Sequence, residues 1–205
     1  MKLAIFGTGG MGRELADMVA RSPRLRSRYE HLVFVVDNPG DPVQGIPVVH
    51  PDTLEAGDEI CFAIGSSADR RTLAARFSGR SFATLISDHA IVSPSARIGT
   101  GAIICDFAVI NNSVEIGDHF LCNVFSQVSH DCVIGNYVTL SPRVSCNGWV
   151  RIDDDVFVGA GAVIRNGVSA QRLRIGQGAT IGMSATVLKH IPSGATAIGT
   201  KLSIL

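Results

Sequence analysis

The sequence has no apolar run near the ~18 residues that a membrane-spanning helix requires, which argues against an integral membrane protein. It also has no excess of one charge, because eighteen basic residues balance eighteen acidic ones, so no nucleic-acid-binding surface is indicated. Cysteines are few, and none of the five stands in a CxxC pair. We therefore interpret them as small buried residues in a reducing compartment, without a disulfide or a metal role.

The first residues, MKLAIFGTGG, carry no small-residue cleavage site after their short apolar run. They pass into glycines and Arg13-Glu14, so we interpret them as a first strand rather than a secretory signal. With 46% apolar and 18% charged residues, the composition is that of an ordinary globular protein. We expect a cytoplasmic location.

Residues 1–88 alternate between strand-like apolar runs and helical patterns. This alternation predicts an α/β domain with a parallel sheet and right-handed crossovers. The predicted strands are 3–6, 32–36, 60–64 and 83–86, and the predicted helices are 14–21 and 69–77.

From about residue 91 the pattern changes to a six-residue period. When the chain is set out in sixes, the second residue of every block is apolar. These residues are Val92, Ile98, Ile104, Ile110, Ile116, Cys122, Val128, Ile134, Leu140, Cys146, Ile152, Val158 and Ile164. The register then loses one residue and resumes at Ile175, and residues 169–174, which break the rule, predict an irregular coil.

A six-residue period fits neither a helix nor an alternating strand of an ordinary sheet. It is typical of a solenoid whose coil has three flat faces, with one six-residue unit for each face. The apolar residue would point into the prism, and the small or polar residue after it would lead into the corner. A β-sandwich would instead require strands at 8–12 residue spacing.

The tandem hexapeptides occur together with GTGGMGRE near the N-terminus, SHDCVIG from Ser129, LSP from Leu140 and VGAGAVI from Val158. This combination resembles the hexapeptide-repeat sugar acyltransferases of the NeuD and PglD type, over residues 1–199. The resemblance implies a Rossmann-like nucleotide-sugar-binding domain at 1–88, an all-β left-handed parallel β-helix at 89–192, and a C-terminal tail at 193–205.

The resemblance also implies an activity. It would be acetyl-CoA-dependent N-acetylation of a nucleotide-linked 4-amino-4,6-dideoxy sugar for surface glycans, in a homotrimer with active sites between subunits and without a metal. Two positions depart from the family pattern. Gly199-Thr200-Lys201 stands where many relatives have Gly-x-Pro-Ala, and Thr139 stands where some have a His that contacts acetyl-CoA. We therefore expect the thioester end to be held differently here.

Acetyl transfer requires a base that removes a proton from the attacking amine or hydroxyl, and a neutral imidazole is the usual group. His130 lies two residues beyond the inward Val128, so its side chain is predicted to project outwards, as a surface histidine also would. In the resembling family a carboxylate next to the His, here Asp131, orients the ring, and the N–H of Gly148 would meet the oxyanion. His119 has no such motif, and we expect it at solvent or at a contact between subunits.

The resemblance further implies a groove between neighbouring prisms for the pantetheine arm of acetyl-CoA. The predicted cofactor contacts are Gly148, Gly159, Ala160, Arg165, Gly178, Gly182 and Met183, with Arg172, Arg174 and Lys189 as further candidates for the CoA phosphates. Each small residue could equally be only a corner former, and each basic residue could be only solvated.

The motif Gly7-x-Gly9-x-x-Gly12 follows a strand and opens a helix, whose first N–H groups suit a pyrophosphate. On its own it would suggest NAD(P) or a merely structural turn. In the resembling family this site takes the nucleotide of the sugar substrate. The predicted substrate contacts are Gly7, Gly9, Gly10, Met11, Gly12, Arg13, Asp37, Asn38 and Ser66.

Four other functions stay open on the sequence alone, and the weakest of them is a β-helix solenoid that aids only assembly. O-acetylation of a sugar, including sialic acid, would use the same base. A non-catalytic module that binds a nucleotide sugar would not need the His130–Asp131 pair, and an NAD-linked oxidoreductase would need a nicotinamide site. The sequence does not identify the sugar, the nucleotide or the acyl chain.

Overall fold

The computed structural model describes residues 1–199, and it begins with an α/β sheet. Its strands are β1 (Lys2–Phe6), β2 (His31–Val35), β3 (Val48–Val49), β4 (Glu59–Phe62) and β5 (Ser81–Phe82), and its helices are α1 (Gly10–Arg21), α2 (Pro23–Arg28), α3 (Ser67–Arg76) and a 3-10 helix (Pro51–Thr53). The sheet is parallel with the order β3-β2-β1-β4-β5, which is a Rossmann-like order. The predicted α/β part is therefore confirmed. Residues 200–205 of the predicted tail lie outside the described residues.

Strand β1 is buried on both sides because helices cover both faces of the sheet. Leu3 and Ile5 share a core with Leu15 of α1, and the ring of Phe6 lies 5.8 Å from the ring of Phe77. Helix α1 begins at Gly10 and not at residue 14 as predicted, because the N-cap is already Gly9.

The rest of the described chain forms a prism of short parallel strands. They are β6 (Leu85–Ile86), β7 (Ile91–Val92), β8 (Arg97–Ile98), β9 (Ile103–Ile104), β10 (Val109–Ile110), β11 (Glu115–Ile116), β12 (Leu121–Cys122), β13 (Gln127–Val128), β14 (Val133–Ile134), β15 (Thr139–Leu140), β16 (Ser145–Cys146), β17 (Val150–Ile152), β18 (Phe157–Val158), β19 (Val163–Ile164), β20 (Leu173–Ile175), β21 (Thr180–Ile181), β22 (Thr186–Val187) and β23 (Thr196–Ala197). The predicted left-handed parallel β-helix is confirmed.

Three sheets make the three faces of the prism, and we name them by what lies on their outer side. The covered face (β23-β21-β18-β15-β12-β9-β6) lies under the α/β domain. The apolar face (β22-β19-β16-β13-β10-β7) exposes Ile91 and Val163, and the charged face (β20-β17-β14-β11-β8) exposes Arg97, Glu115 and Arg151.

The predicted fourth strand of the α/β domain, 83–86, is wrong. Ser81–Phe82 pairs with β4 of the α/β sheet, whereas Leu85–Ile86 pairs with β9 of the covered face. The chain therefore changes sheet between Phe82 and Leu85. The domain boundary at residue 88 stays a prediction.

One coil of the prism takes eighteen residues, so each residue stacks on its counterpart eighteen positions away. Val109 pairs with Gln127, and Ile110 pairs with Val128. The inward members of such pairs are almost fully buried and form one continuous core, which includes Cys122, Cys132 and Cys146. All five cysteines are buried and free of disulfides.

Most corners are turned by a residue with a positive φ angle. These residues recur at six-residue spacing, and the non-glycine ones are Phe107, Ser113, His119, Phe125, Asp131, Tyr137, Arg143, Trp149, Asp155 and Ser184. A left-handed conformation costs a non-glycine residue roughly 1–2 kcal/mol. Burying an inward Val or Ile contributes about 1.5–3 kcal/mol, so the core of each coil outweighs the strain at its corner.

One coil is longer than the others. Ile134 pairs with Ile152 after eighteen residues, but Ile152 pairs with Ile175, five residues later than the regular spacing. The extra residues form a loop at 165–172 that is closed by mutual hydrogen bonds between Val168 and Gln171. The predicted irregular stretch, 169–174, is partly wrong, because Leu173–Ile175 is a strand.

The α/β domain is packed onto the covered face. Ile103 and Leu121, which point outwards from this face, share a core with Leu15 and Met18 of α1. Beside them Arg70 of α3 is 2% exposed, and it donates to the carbonyl oxygens of His119, Tyr137, Val138, Ile64 and Gly65. Burial lowers the pKa of Arg70 to about 10. This arginine therefore ties the two domains together through backbone acceptors.

His119 is buried at the junction of the two domains, so its expected position at solvent or at a subunit contact is wrong. Its ring stacks on Tyr137 (centroids 5.0 Å apart) and on Phe62 (5.5 Å), and it meets Phe82 edge-on at 4.7 Å. Gly101, one coil earlier, makes the room, because a Cβ there would lie 2.5 Å from the His119 Nδ1.

This burial generates a prediction about acid stability. Burial lowers the pKa of His119, and nearby Arg70 acts in the same direction although Asp118 opposes it. The unfolded chain therefore binds a proton more readily, and the free energy of unfolding falls as the pH drops below about 6.5. The variant His119→Phe should weaken this fall, as measured by denaturant unfolding between pH 7.5 and pH 5.5.

The matched control is His89→Phe, since exposed His89 stacks only on Phe107. This control should leave the pH dependence as in the unsubstituted chain. Equal slopes for the His119→Phe variant and the unsubstituted chain would contradict the account.

Candidate active site

The corners of the prism separate its faces, and each corner residue follows an inward residue by two or three positions. The apolar–charged corner carries Asn112-Ser113, His130-Asp131 and Gly148-Trp149. The covered–apolar corner carries Asp106-Phe107, Val124-Phe125, Pro142-Arg143 and Ala160-Gly161, and the charged–covered corner carries Thr100-Gly101, Asp118-His119, Asn136-Tyr137 and Asp154-Asp155.

His130 projects from the apolar–charged corner, as the hexad register predicts. Its side chain is 51% exposed, and its Nδ1 lies 2.8 Å from Oδ2 of Asp131. Because a carboxylate can only accept, Nδ1 carries the proton in this pair, and in the neutral form of the ring Nε2 has a lone pair. The geometry is that of an oriented imidazole on a half-exposed side chain.

Gly148 lies one coil beyond His130 at the same corner. A Cβ at Gly148 would lie 2.6 Å from both Cε1 and Nε2 of His130, a distance that no real Cβ contact adopts. The missing side chain is therefore what allows the imidazole to lie against the next coil.

The backbone N–H of Gly148 differs from the N–H groups that bond to the next coil at another corner of the prism. At the charged–covered corner, the N–H groups of Thr100, Asp118 and Asn136 each donate to a side-chain oxygen one coil later, at 2.8 Å. Within residues 1–199 we find no acceptor for the Gly148 N–H. This donor is available beside the imidazole.

Two further side chains border His130, and sequence reasoning missed the first of them. Trp149 meets His130 edge-on, with centroids 6.4 Å apart at 84°. The guanidinium of Arg172 lies 5.3 Å from the Trp149 ring, and its Nε donates to the carbonyl of Asp131 at 3.3 Å. The sequence does contain a signal for Trp149, because it lies eighteen residues after the corner residue Asp131 and therefore stacks on it.

The predicted cofactor contacts do not come together within one chain. Gly148 and Arg165 lie towards the apolar–charged corner. Gly159, Ala160, Gly182 and Met183 lie at or beside the covered–apolar corner, on the other side of the apolar face, and Gly178 lies at the third corner with φ +67°. A Cβ at Gly159 would lie 2.6 Å from the Met183 N, so that glycine also serves coil packing.

The basic candidates for the CoA phosphates have partners of their own. Arg165 donates through Nε to the carbonyl of Leu188 at 2.6 Å. Arg174 donates to Asp153 at 2.7 Å, and Lys189 borders the same surface as Arg165. Arg174 is therefore neutralised locally, whereas Arg165 has no carboxylate partner within residues 1–199.

Thr139 lies beneath the α/β domain, 3% exposed. Its hydroxyl donates to the carbonyl of Gly65 at 2.9 Å, at the loop that follows β4. The residue that replaces the family's His is thus bound to the loop next to the glycine motif.

The glycine motif forms the turn between β1 and α1. Gly7 has φ +108°, and a Cβ at Gly12 would lie 2.0 Å from the Gly7 carbonyl oxygen, so both are required by the fold. Gly9 and Gly10 are exposed, and a Cβ at either would meet nothing within 4 Å. The structure gives no packing reason for these two glycines, and they leave the first turn of α1 open to a ligand.

The other predicted substrate contacts lie at the carboxyl edge of the same sheet, where loops after parallel strands meet. Asp37 accepts from Arg76 at 2.6 Å, and this bond lowers the pKa of Asp37. Ser66 caps α3 by accepting from the N–H of Asp69. Arg13 and Asn38 are exposed, so this edge presents charged and polar groups around an open helix start.

A cavity of about 250 Å³ extends from this region along α1 to the covered–apolar corner. Its lining combines one side of α1 with outward residues of the prism, namely Met11, Glu14, Leu15, Asp17, Met18, Arg21, Cys105, Asp106 and Val124. Met11 belongs to the glycine motif. The cavity and His130 of one chain therefore lie at different corners, on either side of the apolar face.

No group of three or more His, Cys, Asp or Glu side chains in residues 1–199 is arranged to hold a metal ion. None of the helices in this described part is long and apolar enough to cross a membrane.

A Rossmann-like sheet joined to stacked hexapeptide coils, with an outward imidazole–carboxylate pair, defines the class of hexapeptide-repeat acyltransferases. The comparisons with known proteins agree. Residues 2–77 match the family model described as the PglD N-terminal domain. Over 203 residues, 95% of this chain and 92% of the relative, the sequence is 34% identical to GDP-perosamine N-acetyltransferase of Escherichia coli O157:H7.

Two solved structures are similar over nearly their whole length. WeeI from Acinetobacter baumannii AYE has a TM-score of 0.89 and 31% identity, covering 97% of each chain. PerB from Caulobacter crescentus, in complex with CoA and GDP-perosamine, has a TM-score of 0.84 and 30% identity, covering 97% of this chain and 94% of PerB. The chain belongs to the NeuD and PglD family of sugar acetyltransferases, and it is an acyltransferase.

The close fit of His130 over Gly148 generates a prediction about activity. The variant Gly148→Ala should lower acetyl transfer by at least about tenfold, because the new methyl group displaces the imidazole. The melting temperature should change little if the ring swings outwards. Gly57→Ala, in a turn where a Cβ meets nothing within 4 Å, serves as the control. Unchanged activity of Gly148→Ala would mean that the position of the ring is unimportant.

Proposed function

We propose that this enzyme transfers an acetyl group from acetyl-CoA to the amine of a GDP-linked 4-amino-4,6-dideoxyhexose, with His130 as the base. The observation that carries the proposal is the outward His130, oriented by Asp131 at 2.8 Å and without a hydrogen-bond partner on Nε2 in residues 1–199. The 34% identity to a GDP-perosamine N-acetyltransferase over 92% of its length supports the amine and the nucleotide.

In the proposed reaction the neutral amine attacks the thioester carbonyl while Nε2 of His130 accepts the proton that the amine loses. A tetrahedral oxyanion forms, and the Gly148 N–H donates to it. The carbon–sulfur bond then breaks, and the imidazolium returns the proton to the departing thiolate. The products are the N-acetyl sugar nucleotide and CoA. Asp131 stabilises the imidazolium between the two steps.

The nucleotide would be held by the α/β domain. Open N–H groups at the start of α1, together with exposed Arg13, suit the diphosphate. Asp37, whose carboxylate Arg76 keeps ionised, and Asn38 would bond the ribose or the base. The cavity that begins at Met11 would receive the sugar.

The proposal requires more than one chain. The apolar face exposes Ile91 (67%) and Val163 (40%), and the corner beside it exposes Phe107 (52%) and Phe125 (51%). Exposed apolar surface of this kind marks an interface. We infer a homotrimer in which this face is buried around a threefold axis.

In such a trimer the apolar–charged corner of one chain meets the covered–apolar corner of the next. His130 and Gly148 would then face the cavity and the small residues Gly159, Ala160, Gly182 and Met183 of the neighbour. Acetyl-CoA would lie in this groove, with Arg165 towards its phosphates. The substrate class also supports a cytoplasmic role in the synthesis of surface glycans.

The test is a substrate panel. Acetyl-CoA is incubated with GDP-, UDP- and dTDP-linked 4-amino-4,6-dideoxyhexoses and with the matching 4-hydroxy sugars, while thiol release and product mass are followed. We expect the GDP-linked amino sugar to be acetylated with the highest kcat/KM. His130→Asn should lower kcat by roughly 10²–10⁴-fold, the range of general base catalysis, without loss of acetyl-CoA binding.

Several outcomes would overturn the proposal. Full activity of His130→Asn would show that His130 is not the base. Preferred acetylation of the hydroxy sugar would favour an O-acetyltransferase. Binding of the sugar nucleotide with no turnover would favour a non-catalytic module. Binding of a nicotinamide cofactor, with none of acetyl-CoA, would favour an oxidoreductase.

A further inference from the structure

The side chain of His130 is bordered on three sides, by two groups that the reaction scheme uses and by Trp149, which it does not use. Asp131 binds Nδ1, Gly148 lies against the ring, and Trp149 stands edge-on to it. The Trp149 N–H also donates to the His130 carbonyl at 3.1 Å. One residue of the next coil therefore fixes the backbone of His130 and confines its ring.

Trp149 is itself held from its other side. The Arg172 guanidinium packs over its ring at 5.3 Å, and the Arg172 Nε donates to the Asp131 carbonyl. The contacts form a closed circuit, from His130 to Trp149, to Arg172, and back to the backbone of Asp131. Both members of the imidazole–carboxylate pair are anchored by it.

The loop at 165–172, which contains the five extra residues, builds this circuit. Gly167 donates its N–H to the Gly148 carbonyl at 2.9 Å, and a Cβ at Gly167 would lie 2.2 Å from the Trp149 carbonyl oxygen. Leu173 donates to the same carbonyl of Trp149 at 3.1 Å. The loop thus fits closely against the edge that carries Gly148 and Trp149, and it delivers Arg172 onto the indole.

We propose that Trp149 and Arg172 are positioning residues, which hold the His130 imidazole in its reactive orientation between turnovers. The inference rests on the proposed function, since it assumes that His130 is the base. It assigns Arg172 to the alignment of the base instead of the CoA phosphates. Without the Trp149 ring beside it, the half-exposed imidazole would rotate away from the acceptor amine. Small displacements of a base lower the reaction rate strongly.

The experiment compares kcat with KM. Trp149→Ala removes the ring but keeps the N–H bond to His130, and it should lower kcat by about tenfold while both KM values change less than about twofold. Trp149→Phe should restore most of the rate, because a ring again borders the imidazole. Arg172→Lys should lower kcat like Arg172→Gln, since an ammonium lacks the flat guanidinium that packs on the indole.

A short thioester separates the two roles of Arg172. With acetyl-pantetheine, which lacks the nucleotide of CoA, the loss of kcat in Arg172→Gln should persist. If Arg172 only bound the CoA phosphates, Arg172→Gln would raise the KM of acetyl-CoA alone, Arg172→Lys would be nearly normal, and the effect would vanish with acetyl-pantetheine. That result would overturn the proposal.

Controls exclude unfolding and separate this inference from the proposed function. Arg97→Gln, which removes an exposed arginine paired with Glu115, should leave kcat unchanged, and all variants are assayed well below their melting temperatures. An inactive His130→Asn with a normal Trp149→Ala would overturn the positioning role alone. An active His130→Asn would overturn the proposed function and this inference together.

Discussion

The constraint on which the structure depends is the eighteen-residue coil, which stacks every side chain on its counterpart one coil away. Stacking restricts the side chains that fit at a corner, because the residue there has a positive φ angle and little space beside it. Two of the imidazoles at corners have a glycine one coil away that makes room for the ring. Gly148 supplies that space for His130, and Gly101 supplies it for His119.

The two histidines show how the packing of the domains decides what a corner can do. The α/β domain covers the corner of His119, so its ring is enclosed by Phe62, Phe82 and Tyr137 and serves stability. The corner of His130 is left uncovered, and its ring keeps a free nitrogen beside an available N–H. The same fold thus provides a buried, packed imidazole on one side and an exposed imidazole on the other.

Much of the fold could be predicted, because the inward positions depend only on local periodicity. The outward direction of His130 follows from the same register. The burial of His119 could not be predicted, since it depends on where the α/β domain packs. The side chains that surround His130 could not be predicted either. Trp149 lies next to His130 because successive coils stack, and Arg172 reaches Trp149 from a loop whose path the six-residue register does not define.

The central claim is that His130 of one chain serves the sugar nucleotide held by its neighbour, and mixed trimers test it most directly. His130→Asn is co-expressed with Gly10→Glu, whose carboxylate is tolerated at the start of α1 but repels a diphosphate; each variant alone should be inactive. Randomly mixed trimers, whose size light scattering confirms, should regain about a quarter of the normal activity. A site is intact only where the His130→Asn chain supplies the glycine loop and the Gly10→Glu chain supplies the histidine. Mixed trimers without activity, or an active monomer, would contradict the claim.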